Sequence, residues 1–219
     1  MTLQLFGHPF SSYCQKALIA LYENDTPFDF RLLEPSEKRT LVEFARLSPM
    51  RKMPLLVDGD RVVLESSVII EYLGRKHPGP VRLIPEDEDA ALEARTLDRA
   101  FDSYIMTPMQ KFVFDCMRPA EVRDPTGVQE AADVLDRAYA WLDKLLDGRA
   151  WAAGDDFSLA DCAAAPSLFY ADWVRPIPDR LANLRDYRRR LLARPSFARA
   201  VDEARPYRAY FPPGAPDRD

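Results

Sequence analysis

The amino-acid sequence predicts two unlike parts, an α+β domain over residues 1–79 and an all-α domain over residues 86–204. Three observations carry this. Short apolar runs alternate with a helical stripe through the first part. Asp58-Gly59-Asp60 separates two of those runs at the length of a tight hairpin. After Pro85 the apolar residues recur at three- and four-residue spacing almost to the end, as in a succession of helices.

Residues 2–6 read as a strand, residues 11 or 12 to 23 as a helix with Ala17, Leu18, Leu21 and Tyr22 on one stripe, and residues 28–33 as a second strand. Residues 37–46 form a short helix. Met53-Pro54 then enters an apolar strand, where a proline at the start costs no ladder hydrogen bond. Asp58-Gly59 or Gly59-Asp60 supplies the turn, residues 61–64 the returning strand and residues 66–76 a helix. His77-Pro78-Gly79-Pro80 stops that helix and opens a linker over 80–85. The order βαβ, α, ββα is a thioredoxin-like arrangement, a mixed sheet with helices on both faces.

Beyond the linker, helices are predicted over 86–117, kinked by Pro108, and over 127–146, where Val128, Ala131, Leu135, Ala138, Leu142 and Leu145 keep helical spacing. Three more follow over 158–174, 181–193 and 196–204. Ser158 is the N-cap of the first of these, Asp161 its short-armed partner three residues on, and Phe157 and Cys162 the hydrophobic staple. The tail, 205–219, carries Pro206, Pro212, Pro213 and Pro216 and is expected to be irregular, with Tyr207, Tyr210 and Phe211 partly docked.

The 219 residues are 47% hydrophobic and 30% charged, with a net charge of −5, which argues against a nucleic-acid partner because that needs a basic face. No apolar run reaches the ~18 residues of a membrane span, so no membrane partner is expected. Met1 leads directly into strand-like sequence without the basic and apolar segments of a secretory signal. Cys14, Cys116 and Cys162 are widely spaced and read as reduced thiols, which suits the cytoplasm. His8 and His77 are the only histidines and there is no Cys-x-x-Cys pair, so no metal site is predicted.

The most informative stretch is 47–66. A cis peptide at Met53-Pro54 would turn the Met53 backbone outward, free to pair with an extended ligand. Ser66 opens a helix whose free N–H groups make an anion site. A backbone edge and a carboxylate cradle, close together, suit a short acidic peptide. Ser48-Pro49-Met50-Arg51-Lys52-Met53-Pro54, followed by the hairpin and Glu65-Ser66, resembles the glutathione-binding half of the cytosolic glutathione S-transferase family. The family pattern runs Asn-Pro-x-Gly-Lys-Val/Ile-Pro, then a hairpin, then Glu/Gln-Ser. Ser48 replaces its asparagine and Arg51 its glycine. The Ser158–Asp161 cap is similar to a buried folding motif in that family's helical domain, so the resemblance covers nearly the whole chain and is weakest in the tail.

The resemblance implies glutathione as co-substrate and thiolate chemistry. A free thiol has a pKa of ~8.5, and lowering it by two units needs about 2.7 kcal/mol in favour of the anion. One hydroxyl hydrogen bond to a charged sulfur contributes roughly 1.5–3 kcal/mol, and a helix N-terminus adds to it. The loop Gly7-His8-Pro9-Phe10-Ser11-Ser12-Tyr13-Cys14 is similar to the bacterial-like, serine-type loop of the family and places the catalytic serine on Ser11 without a gap. Ser12 and Tyr13 are alternative catalytic hydroxyls. The plainer reading of both serines is helix capping. Cys14 reads as an inert thiol.

In the same resemblance Lys52 holds the glycine-end carboxylate, Met53 and Pro54 present the backbone edge, Glu65 accepts from the γ-glutamyl ammonium, and Ser66 takes the adjacent carboxylate. Phe10, Tyr104 and Phe112 are the candidates for contact with a small hydrophobic electrophile, the last two picked from the apolar stripe Phe101, Tyr104, Ile105, Pro108, Met109, Phe112. A homodimer is implied, since family members are usually two-fold dimers. Alternatives on the same fold are a glutathione-dependent isomerase, for which Ser11-Ser12-Tyr13-Cys14 partly echoes the usual Ser-Ser-Cys-Ser, a disulfide reductase, and a non-catalytic scaffold for protein partners.

Overall fold

The structure, a computed structural model, describes residues 2–219. The sheet has four strands, with the second in the chain at one edge, followed by the first, third and fourth. β1, Leu3–Gly7, is interior and almost wholly buried. β2, Phe28–Leu32, pairs with it in parallel, Leu3 opposite Phe28. A parallel pair needs a crossover, which α1, Ser12–Glu23, provides. β3, Leu55–Asp58, runs antiparallel on the other side of β1, and β4, Arg61–Leu64, closes the hairpin through Gly59-Asp60. Gly59 carries the turn's positive φ, +59°. α2, Lys38–Leu47, and α3, Ser66–Lys76, complete this part.

Strand alternation divides the sheet's two faces. Leu3, Leu5, Leu56 and Val63 join a core that includes α1 and α3, whereas Phe6 and Leu55 pack with Phe44, Leu41 and Leu47 of α2. α1 departs from the expected single stripe: every residue from Cys14 to Leu21 is buried, including Gln15 and Lys16. The reason is that α1 lies between the sheet with α3 on one side and the helical half on the other, against α7, Leu159–Val174.

The predicted helix over 86–117 is divided into α4, Glu88–Ala100, a π-helical stretch, Phe101–Met106, and α5, Thr107–Cys116. Pro108 has no N–H to donate, and the turn before it widens. Thr107 N–H reaches back five residues to Asp102 O, and Thr107 Oγ1 donates to the same carbonyl at 2.9 Å. α6, Pro125–Leu145, starts two residues earlier than expected, because Pro125 occupies the first turn and Asp124 caps it, accepting from Gly127 N–H at 2.9 Å. α8, Ala182–Ala193, and α9, Pro195–Ala204, follow. The tail is less irregular than predicted: Arg205–Tyr210 forms a 3-10 helix, and Phe211 is buried while Tyr210 is exposed. A 3-10 turn at Ala120–Val122 carries no sequence signal.

α7 is the axis of the helical half, with Leu159 through Trp173 all buried. Its start is fixed from Asp161, whose Oδ2 accepts from Ser158 N–H at 2.8 Å and Ser158 Oγ–H at 3.1 Å. Asp161 Oδ1 accepts from Ala152 N–H at 2.9 Å and Tyr187 Oη–H at 2.6 Å, so one buried carboxylate joins α7, α8 and the loop before α7. Phe157 and Cys162, the expected staple, are both buried in the same core. No helix among the described residues is long and apolar enough to cross a membrane.

Candidate active site

A cleft opens between the loops at the ends of β1 and β3 and the side of α4 and α5. Ser11, Tyr13, Lys52, Met53, Pro54, Glu65 and Ser66 all line it. Seven of the sequence candidates from three separate segments therefore meet in one place.

Ser11 is the N-cap of α1, with φ −83° and ψ 122°. Its N–H donates to His8 O at 3.0 Å, and its Oγ accepts from Cys14 N–H over a long 3.4 Å. The capping reading and the cleft-facing reading thus hold for the same side chain, whose hydroxyl proton that cap does not use. Ser12 is the first helical residue and does not line the cleft. Tyr13 does, and its phenol is pushed up to about 12, first by burial and then by the Asp102 carboxylate, so it stays a proton donor. Cys14 is buried, and burial pushes its thiol up to about 11 against the opposing hydrogen bond from Ser11. A protonated, enclosed thiol of this kind is inert.

Between α2 and β3, Ser48 is buried, donates its Oγ–H to Lys52 O at 3.3 Å and accepts from Arg51 N–H at 3.0 Å. Arg51 sits at φ +51°, the left-handed region where an L side chain costs roughly 1–2 kcal/mol. That accounts for the glycine in the pattern it departs from. Lys52 is exposed at the cleft rim. The Met53-Pro54 peptide is cis, and Met53 precedes the ladder, which begins at Leu55.

Glu65 is the N-cap of α3 at φ +67°, and its side chain makes no capping hydrogen bond. The first-turn N–H groups of α3 are therefore not occupied by their own cap. A positive φ at a non-glycine residue costs about 1–3 kcal/mol and persists where surroundings hold it, commonly at ligand clamps. Ser66 follows, buried yet lining the cleft.

Behind Ser66 lies an ionic cluster without a sequence signal of its own. Lys16, its side chain 1% exposed, pairs through Nζ with Asp98 Oδ1 at 2.5 Å and Asp102 Oδ2 at 2.9 Å, and donates to Ser67 Oγ at 2.9 Å. Ser67 Oγ–H donates to Asp98 Oδ2 at 2.8 Å, and Arg99 pairs with both carboxylates. Burial pushes the Asp102 carboxyl up, and Lys16 opposes it. Two cations balance two carboxylates, as buried charges require. Arg99 and Asp102 reach the cleft.

Besides Ser12, three candidates lie outside the cleft. Phe10 turns away from the cleft into an aromatic cluster, 5.4 Å from Tyr170 and 6.4 Å from Phe211 by ring centroids. Tyr104 is exposed outside the cleft, and Phe112 is half-buried against the core. The apolar stripe from which they were picked is the core face, since Phe101, Ile105 and Met109 are buried. The helical wall of the cleft is instead Arg99, Ser103, Thr107, Gln110 and Phe114, one face at helical spacing and mostly polar. The described residues hold no cluster of His, Cys, Asp or Glu suited to a metal ion.

Family models described as the N-terminal and C-terminal domains of glutathione S-transferase match residues 5–81 and 105–195. Human glutathione S-transferase theta-1 is 30% identical over 183 residues, covering 78% of this chain and 73% of its own. A probable maleylacetoacetate isomerase of Vibrio cholerae is 29% identical over 213 residues, covering 94% and 98%. A crystal structure of a glutathione S-transferase from Methylobacterium radiotolerans, in complex with glutathione sulfonate, superposes with a TM-score of 0.79 at 33% identity, covering 92% of this chain and 95% of that one.

Proposed function

The chain belongs to the glutathione S-transferase family, and from that premise we propose that it binds glutathione in the cleft, holds the sulfur as a thiolate against Ser11, and directs it at an electrophilic carbon. The observation that carries this reading is the meeting in one cleft of an N-cap hydroxyl at Ser11, a backbone edge at Met53 and an uncapped helix start at Ser66. Ser66 and the first-turn N–H groups of α3 take the γ-glutamyl carboxylate, Glu65 its ammonium, the Met53 backbone the central peptide and Lys52 the glycine-end carboxylate. The subclass is serine-type. The enzyme works in the cytoplasm, which its free thiols suit, and as a two-fold homodimer, a reading supported by the apolar side chains Val68, Leu92 and Tyr104, which stand exposed on and after α3 and α4. An unused cradle for a charged peptide gives a scaffold no benefit, so the enzyme reading is preferred.

The wall of Arg99, Ser103, Thr107 and Gln110 is more polar than a purely hydrophobic electrophile needs, with Phe114 its one apolar face. It favours as a second reading the isomerisation of a cis-alkene diacid, the reaction class for which the loop has a partial echo.

Thiolate absorbance of bound glutathione, followed against pH, tests the first reading. The wild type is expected to show an ionised thiol near pH 7. Ser11→Ala should raise the midpoint by about one unit or more, because the lost hydrogen bond favours only the thiolate. Turnover of a model aryl halide should fall about tenfold or more with little change in affinity, the mark of an interaction made at the reacting atom. Ser12→Ala should titrate as wild type. If Tyr13→Phe shifts the midpoint and Ser11→Ala does not, the phenol is the activating group. If the wild type holds no ionised thiol near neutrality, the scaffold reading takes over.

A further inference from the structure

Besides its approach to the Cys14 thiol, Ser11 Oγ is held by a single contact, 3.4 Å from Cys14 N–H. That is too long to fix a hydroxyl, so its position follows the backbone of the loop before it. This backbone is held at successive peptide groups. Phe10 N–H donates to His8 Nδ1 at 3.1 Å, and Phe10 O accepts from Tyr170 Oη–H at 3.0 Å. Pro9 O accepts from Gln15 Nε2 at 3.0 Å, and the same amide donates to Tyr170 Oη at 3.1 Å. Gln15 thus uses both of its amide protons, and the Tyr170 hydroxyl both accepts and donates.

Neither residue touches the cleft. Gln15 is 0% and Tyr170 3% exposed, one on α1 and the other on α7 of the helical half. Apolar side chains of the same size would fill these positions without desolvating an amide and a phenol. The polar atoms answer instead to two loop carbonyls, Pro9 O and Phe10 O. The phenol is pushed up by burial, so it remains a donor throughout the working pH range. The Phe10 ring, packed against both Tyr170 and Phe211 of the tail, anchors the same residue from its side chain.

We propose that Tyr170 and Gln15 are positioning residues for the thiolate: they fix the Pro9 and Phe10 carbonyls across the boundary between the two halves and thereby aim Ser11 Oγ at the sulfur. The inference rests on the reading of Ser11 given above. It makes the helical half a participant in thiol activation through a residue 155 positions distant in sequence, without contact to either substrate.

Tyr170→Phe removes one oxygen and keeps the ring. The thiolate midpoint of bound glutathione should rise by about half a unit to one unit, as a misaligned hydrogen bond favours the anion less. kcat should fall ~3- to 10-fold while glutathione affinity changes by less than about twofold, a split that a general loss of stability does not produce. Gln15→Met should act in the same direction and carries the test if Tyr170→Phe does not fold. In a Ser11→Ala background Tyr170→Phe should shift the midpoint no further, because residues acting through one another are not additive. A folded Tyr170→Phe protein with the wild-type midpoint overturns the proposal, and a Ser11→Ala shift measured beside it would leave the Ser11 reading intact. Equal shifts from Tyr170→Phe in both backgrounds also overturn it, since the phenol would then act on the sulfur without Ser11. If Ser11→Ala itself leaves the midpoint unmoved, both readings fall.

Discussion

Asp161→Ala is expected to lower the unfolding free energy by about 3–5 kcal/mol, the largest effect of any single substitution considered, because it orphans a set of buried donors at once. The carboxylate accepts from two backbone N–H groups, Ala152 and Ser158, and from the hydroxyls of Ser158 and Tyr187. Each unsatisfied donor costs about 1–3 kcal/mol, the terms add incompletely, and loss of a buried charge offsets part of the sum. Asp161 is fully buried, and so is Tyr187, so water cannot replace the acceptor. The shift in denaturant midpoint at unchanged slope measures it. A loss below about 1 kcal/mol would mean that the cap is incidental to the helical core. Asp161→Asn, which keeps one acceptor oxygen, should fall between wild type and alanine.

Ser66→Ala is expected to weaken glutathione binding about ten- to a hundredfold, the range of a hydrogen bond to a charged group, roughly 1.5–3 kcal/mol. Ser66 is buried at the first position of α3 and borders the cleft, where the proposed pose sets its hydroxyl against the ligand carboxylate. The helix N–H groups remain in the variant, which keeps the loss from being total. Calorimetric titration of the folded variant measures the change directly. An unaltered affinity would remove Ser66 from the carboxylate site and leave the cradle to the backbone alone.

These effects involve residues with different legibility in the sequence. The N-terminal half was readable because its signals are local. The helix over 66–76 has the predicted bounds, and the Gly59-Asp60 turn is one of the two offered. The capping partners Ser158 and Asp161 are three residues apart, so their pairing is legible, whereas Ala152 and Tyr187, the other donors to Asp161, come from the tertiary structure. The cleft wall misled for a related reason. Polar side chains at 99, 103, 107 and 110 look like a solvated helix face, and only the neighbouring loops make that face a wall. The apolar stripe containing Tyr104 and Phe112 supplied the stronger pattern, and it belongs mainly to the core. Lys16 reads as a surface charge until α1 is seen to be enclosed on both sides, where it meets Asp98 and Asp102 more than 80 residues later. The π-helical stretch before Pro108 was announced by the proline, but only as a kink.

The structure of the protein with glutathione bound tests the account most directly. The sulfur is predicted to lie within about 3.5 Å of Ser11 Oγ, hydrogen-bond range for sulfur being slightly longer than for oxygen. The γ-glutamyl carboxylate should rest on Ser66 and the first turn of α3, and the cysteinyl peptide group should pair with the Met53 backbone. A sulfur seated on Tyr13 Oη with Ser11 turned to its cap, or a tripeptide bound outside the cleft between Ser11 and Ser66, would contradict it.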